Sequence, residues 1–384
     1  MPSACTASCW SASPGDRAEP GEQAAHCAVD TVDAMTPLRR FTSSVLEPHE
    51  RGVEFGSHHA TEVGRTVAAY RALFAAKAGG PFDVDHWGEA AWQRIGELAP
   101  AMAEEIAGIA TGAGLPVHLV AALNARTELL AVAAPLGVDE CSTVVSLPSG
   151  RRPVACQTWD WYAAMADGWL HWTIPHPDGR VVRTITEYGV LGKIGVNGHG
   201  VGVLFNMLHH ENDAPGEIGL PVHLLSRQLL DAATGIDDAL TLASAAKTSA
   251  STALTVVEGR DDGGDAVSIE LFPGGPGVLA PTDGLLVRTN HFVSDEGRDG
   301  CQAATIGPGS ALRRETLLDR CGGLVPDTAD QVVAAMHHHA DVGGVCAHPD
   351  PEMDPVLQHA TLATVAVDAA ASRLSATPGG PCSR

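Results

Sequence analysis

The sequence predicts an α+β fold with a mostly helical N-terminal portion. Apolar residues recur at helical spacing from about Thr61 to Arg126, and at Cys141 the period changes to short β-rich runs. Helices then cluster between runs of strands instead of following each one, which suggests sheets covered by helices.

The elements follow in chain order. Residues 1–37 are rich in Ala, Ser, Pro, Gly and Asp with no apolar period; they read as a disordered leader, or as translation begun upstream of a true start at Met35. Order is expected from near Phe41, so 1–40 is assigned as leader and 41–140 as a helical portion. Val63, Val67, Tyr70 and Leu73 mark one helical run, and Ile95, Leu98, Met102, Ile106 and Ile109 mark another. Gly112, Gly114 and Pro116 stop the second run, and Val117, Val120 and Leu123 begin a third. Strands are expected at 142–147, 154–158, 170–174, 181–186, 200–206, 252–258, 266–271 and 285–289, parted by turns such as Pro148-Ser149-Gly150 and Pro177-Asp178-Gly179. Helices are expected at 221–232, 236–246, 309–320 and 329–338, and the chain closes on a strand pair at 361–368 and 372–377. No internal repeat is visible.

Composition narrows the function. With 45% hydrophobic and 18% charged residues, 384 residues are ample for a buried core. The formal net charge of −22 disfavours nucleic acid or an anionic membrane surface, since both need clustered Lys and Arg. No apolar run is long enough for a signal peptide or a membrane span. Nine cysteines at irregular spacing form no disulfide framework, and no CxxC pair suggests a structural zinc. A reducing cytoplasm is the default compartment, where a free thiol survives. The runs His58-His59, His209-His210 and His337-His338-His339, and the pair Cys346 and His348, are poor chelates unless ligands converge from elsewhere. No HExxH spacing exists, so no catalytic metal is expected. The Gly-rich stretch 189–202 lacks the GK[ST] of a phosphate loop.

The chemistry concentrates at Asp139-Glu140-Cys141-Ser142-Thr143, where a cysteine sits between a helical region and the first strand. Gln157-Thr158-Trp159-Asp160-Trp161 follows after a turn, and a hairpin of that length returns Asp160 near Cys141. Read alone, Cys141 is a buried apolar filler and Asp160 a turn or capping residue. Asn206 and Asn290 alone are satisfied turn asparagines, while Arg313 beside Arg314 suits a surface helix.

These motifs, together with Thr184–Asn197, Gly200–Asn206, Thr289-Asn290-His291-Phe292, Ser310–Arg313 and Val345-Cys346-Ala347-His348, occur in an order that resembles the acyl-coenzyme A:6-aminopenicillanic acid acyltransferase family. That group, peptidase C45, falls among the N-terminal-nucleophile hydrolases. The resemblance runs from about residue 45 to the C-terminus. It implies a four-layer αββα sandwich made as a precursor. Self-cleavage between Glu140 and Cys141 would leave an α fragment and a β fragment, 141–384, that remain associated. The freed α-amino group, with a typical pKa of about 7.7–8.0, is a built-in base beside a thiol whose free value is about 8.5. Position by position, the resemblance makes Cys141 the nucleophile and Asp160 the group that orients its amine. It makes Asn206 and Asn290 the oxyanion donors and Arg313 a cation near the thiol. Gln157 occupies a position expected to touch substrate, and Trp159 and Trp161 are expected at the pocket wall. Glu140, preceded by Asp139, departs from the glycine of the penicillin-forming member; two carboxylates there either assist proton transfer or oppose thiolate formation. The implied partners are a small acyl donor, with acyl-coenzyme A as a candidate co-substrate, and an amine or water acceptor. No cofactor is expected. The rival readings are an uncleaved binding protein of the same fold and a metal-dependent hydrolase.

Overall fold

The structure is a computed structural model that describes residues 38–133, 141–214, 216–323 and 325–383. The expected leader, 1–37, and the acidic pair Asp139-Glu140 lie outside the described residues. A short strand, β1 (Arg40–Thr42), leads into six helices: α1 (Pro48–His58), α2 (Ala60–Lys77), α3 (Val84–Leu98), α4 (Pro100–Ala113), α5 (Val117–Asn124) and α6 (Arg126–Ala133). The apolar run expected to continue from Ile95 to Ile109 is thus two helices. Ala99 breaks the helical backbone, and Pro100, which has no N–H to satisfy, opens the second. The helix α1 was not foreseen, because its buried face consists of Arg51, Gly52, Phe55 and Gly56 instead of an apolar stripe.

After Cys141 come β2 (Ser142–Ser146), β3 (Val154–Tyr162), β4 (Trp169–Pro175), β5 (Val181–Glu187), β6 (Ile194–Val196) and β7 (Val201–Met207). Two helices follow, α7 (Val222–Ala232) and α8 (Ile236–Ala245), then β8 (Thr252–Arg260), β9 (Gly263–Leu271), β10 (Gly277–Leu279) and β11 (Leu285–Arg288). The short α9 (Asp295–Arg298) and α10 (Ala303–Ile306) precede α11 (Ser310–Gly322) and α12 (Ala329–Met336), and β12 (His359–Asp368) and β13 (Arg373–Pro378) close the fold.

The strands form two sheets, one ordered β1-β4-β5-β6-β7-β8-β9-β10 and the other β11-β2-β3-β12-β13. Only the β1–β4 pair is parallel among those described. The sheets face one another through β2 against β7 and β13 against β5 and β6. Helices α7 and α8 cover the larger sheet, while α11 and α12 cover the smaller one. The order of layers is therefore helix, sheet, sheet, helix. Nearly every residue of β2, β3 and β7 is buried, since both faces of each strand are covered. Among the described residues no helix is long and apolar enough to cross a membrane.

The helical region is fastened by two devices. Glu105 of α4 accepts from Arg51 of α1 at 2.6 Å and from Arg227 of α7 at 3.2 Å, tying three helices through one buried carboxylate. Helices α1 and α4 also approach so closely that their glycines are obligatory. A Cβ at Gly108 would stand 2.0 Å from the His49 carbonyl, and one at Gly56 would stand 2.2 Å from the Ile109 carbonyl. We expect Gly108→Ala to lower stability by about 1–3 kcal/mol through overpacking. Gly64→Ala in α2, where the added Cβ meets nothing within 4 Å, should be neutral or stabilising by up to about 1 kcal/mol. Urea unfolding midpoints of the two variants test the contrast.

Candidate active site

The site forms where β2 and β3, inner strands of the small sheet, face β7 of the large one. Strands β2 and β3 pair with Ser142 opposite Thr158, which sets Cys141 beside the Trp159-Asp160 segment. The Cys141 thiol, 5% exposed, donates to the Asp160 carbonyl at 3.5 Å. Asp160 Oδ2 lies 3.5 Å from the Thr158 hydroxyl, which accepts the Ser142 N–H at 3.2 Å. The carboxylate thus sits one hydroxyl away from the backbone next to Cys141. A register shift between Thr361 and Ala363 of β12, directly opposite Asp160 and Trp159, bends the ladder at this point. Such bulges re-aim side chains beside active sites.

The second sheet contributes Asn206 on β7. Its Nδ2 donates to the Cys141 carbonyl at 3.0 Å, and its Oδ1 accepts from Thr143 Oγ1 at 2.7 Å. Asn290, just past β11, donates to the Met207 carbonyl at 2.9 Å and accepts from Arg313 Nη2 at 2.7 Å. The Ser310 hydroxyl accepts the Asn290 N–H at 2.8 Å. Each amide nitrogen carries a second hydrogen, so both asparagines retain donor capacity.

The structure thus places Asp160 and Asn206 against Cys141, and Asn290 against Met207, the residue after Asn206. Arg313, expected as a cation beside the thiol, is fully buried on α11 and holds the Asn290 amide in orientation. Gln157 requires correction. It was expected to touch substrate, but its amide is fully buried and committed to the backbone of Phe205, donating to the carbonyl and accepting the N–H at 3.0 Å. It bolts β3 to β7 and fixes the height of Asn206 relative to Cys141.

Trp159 and Trp161 are buried against a charged cluster that the sequence reading did not assign. Glu187, at the end of β5, accepts from Arg126 Nη2 at 2.7 Å and lies 3.5 Å from Lys193 Nζ. Tyr70 donates to its other oxygen and accepts from Trp161 Nε1 at 2.9 Å. Lys193 stands 3.9 Å over the Trp159 ring, and the Arg126 guanidinium 4.4 Å over Trp161. Burial acts to raise the Glu187 pKa, but Arg126 and then Lys193 outweigh it and hold the carboxyl below its usual value. Lys193 is pushed down to about 7, first by burial and then by Arg126, while Glu187 and Cys141 pull the other way. A Cys141 thiolate and the Lys193 ammonium therefore stabilise each other. One signal in the sequence could have found this group: Lys193 interrupts an otherwise uncharged stretch from Tyr188 to Asn197.

Residues 148–317 match the family model described as acyl-coenzyme A:6-aminopenicillanic acid acyl-transferase. The matched segment begins just after Cys141 and includes Asp160, Lys193, Asn206, Asn290 and Arg313. A curated relative, the 40 kDa form of the acyl-coenzyme A:6-aminopenicillanic-acid-acyltransferase of Emericella nidulans, is 33% identical over 200 residues. That alignment covers 52% of this chain and 54% of the relative, so the chain spans about half the length of the protein it matches. Among solved structures, the penicillin V acylase of Agrobacterium tumefaciens aligns with a TM-score of 0.39 at 14% identity, covering 59% of this chain and 80% of that one. A mutant of the conjugated bile acid hydrolase of Clostridium perfringens aligns with a TM-score of 0.39 at 11% identity, covering 62% of this chain and 92% of that one.

The titration of Lys193 gives a test with a definite sign. The unfolded lysine keeps its proton to about 10.5 and the folded one only to about 7. Between these values the unfolded chain binds more protons, so this group makes stability rise with pH, by at most about 1.4 kcal/mol per unit. Below about 7 both states are protonated and it adds no slope. Urea unfolding from neutral to alkaline pH should rise less steeply for Lys193→Met than for the parent; equal slopes would show that Lys193 does not titrate there.

Proposed function

From the premise that residues 148–317 carry the acyl-coenzyme A:6-aminopenicillanic acid acyl-transferase domain, we propose that this chain is an autoproteolytic cysteine N-terminal-nucleophile enzyme. It hydrolyses or transfers the acyl group of a small N-acyl amide or acyl thioester through a thioester on Cys141. The observation that carries the reading is the meeting of Cys141 and Asn206 across the two sheets, with the amide donating to the carbonyl of the nucleophile itself at 3.0 Å.

The chemistry follows from that placement. The Cys141 thiol first attacks the Glu140 carbonyl, the Glu140–Cys141 C–N bond breaks to free the Cys141 α-amine and leave a thioester, and water hydrolyses that thioester to release the Glu140 carboxylate and return the thiol. In turnover, the amine accepts the thiol proton and sulfur adds to the acyl carbon of the donor. Negative charge collects on the former carbonyl oxygen, where the second N–H groups of Asn206 and Asn290 donate; one such donor is worth about 3 kcal/mol of barrier. The tetrahedral intermediate collapses, the leaving amine or coenzyme A thiol takes the proton, and a thioester remains. Water or an acceptor amine then attacks that thioester and regenerates the thiol. The acceptor alone separates hydrolase from transferase, and the name of the Emericella nidulans relative makes acyl-coenzyme A a donor to try. Asp160 orients the α-amine, and Lys193 stabilises the thiolate between catalytic steps. The two fragments stay together, because Tyr70 and Arg126 of the α portion grip Glu187 of the β portion.

Intact mass spectrometry tests the reading most directly. Two fragments are expected, the heavier beginning at Cys141, and a chain that stays whole on prolonged incubation would sink the proposal in favour of an uncleaved binding protein. Cys141→Ala should abolish both cleavage and acyl turnover. Asn206→Ala should lower kcat about 10²–10³-fold towards a panel of N-acyl amines and acyl-coenzyme A thioesters.

A further inference from the structure

A second cluster of reactive side chains lies on the far side of the small sheet, and the acyl-transfer chemistry makes no use of it. His339 and His348, on the segment between α12 and β12, turn their Nε2 atoms to within 3.1 Å of each other. Cys382, in the turn Pro381–Ser383 that follows β13, places its Sγ 3.6 Å from His348 Nε2. The three ligand atoms all lie within 4.8 Å of one another. Cys346, two residues before His348, is not one of the three, and its thiol donates to the Met336 carbonyl at 3.8 Å.

We propose that His339, His348 and Cys382 form a structural zinc site that ties the C-terminal turn to the loop preceding β12. The distances fit a tetrahedron. With zinc–nitrogen bonds of about 2.0–2.1 Å and zinc–sulfur bonds of about 2.3 Å, the nitrogen–nitrogen edge is about 3.3 Å and the nitrogen–sulfur edge about 3.6 Å. Without a metal the arrangement is hard to justify. Both histidines are exposed, and each loses rotamer freedom to hold its ring nitrogen against the other's. One thiolate with two imidazoles favours zinc over the harder oxygen-seeking cations. Three protein ligands leave a fourth position for water, and the role assigned to the site is the tie between the two segments.

Its location gives it a consequence. The Cys346–His348 segment is anchored to β12 by Thr361, whose N–H donates to the Ala347 carbonyl at 3.0 Å and whose hydroxyl accepts the Ala347 N–H at 2.9 Å. Thr361 is the residue paired with Asp160, at the bulge. Zinc would therefore stiffen the strand that backs the carboxylate beside Cys141.

The test is zinc content. The full chain, purified under reductant with zinc and then passed through gel filtration, should retain one zinc per chain by elemental analysis and native mass spectrometry. Cobalt substitution should give thiolate-to-metal charge-transfer absorption. Cys382→Ser and His348→Ala should each lower zinc affinity at least 10-fold while keeping the parent's circular dichroism. A folded parent that retains no zinc would overturn the assignment. So would a double variant that binds zinc as tightly as the parent, or a Cys346–Cys382 disulfide under reducing conditions.

Discussion

Glu187 is a single carboxylate buried between two buried cations, and the arrangement of the helical and sheet portions depends on it. Arg126 on α6 and Lys193 beside β6 both reach it, and Tyr70 on α2 closes the remaining oxygen. Removing one partner from such a group costs about 3–5 kcal/mol, because the charges left behind have no water to return to. The group fixes α2 and α6 against β5 more sharply than apolar packing could, since hydrophobic contact is non-directional and charge pairing is not. It also carries a surplus of positive charge. A neutral Lys193 relieves that surplus, and burial together with Arg126 brings its pKa down to about 7.

The same logic orders the seam between the sheets. Gln157 spans it to the Phe205 backbone, Thr143 to Asn206, and Asn206 to the Cys141 carbonyl. Buried polar groups must be satisfied, and here they are satisfied only when β3 and β7 hold one relative height. Apolar side chains at these positions would allow the sheets to slide. The polar ones define a register, and Cys141 and Asn206 inherit it. Asn290 is held the same way, between Met207, Ser310 and Arg313.

Departures from the sequence reading have physical causes. The strand expected to stop at Thr158 runs on to Tyr162, because Trp159, Asp160 and Trp161 are all buried and the polar residue does not mark a turn. The three-residue β6 was not among the expected strands and lies in the glycine-rich stretch 189–202. It pairs because Gly195 lets Arg183 and Leu230 approach where a Cβ would stand within 2.7 Å of each. Gln157 read as a substrate contact since its polarity was visible and its partner, the backbone of a strand some fifty residues away, was not. Arg313 was legible as a functional cation, but its hold on Asn290 required knowing where α11 sits.

By itself the sequence determined the α+β class, the change from helix to strand at Cys141, and the hairpin that returns Asp160 to Cys141. These rest on local periodicity and short loops, which a chain writes directly into residue order. It also singled out Asn206 and Asn290, through motifs whose order outweighs their individual weakness. Only the tertiary structure decided which charges meet. Lys193 reaches Glu187 and the Trp159 ring from a segment with no helical or strand period of its own, and Cys382 reaches His348 from the chain's last turn. Electrostatic and metal-ligand partners are chosen by distance in space, and a sequence records which charges and ligands exist without recording how far apart folding leaves them.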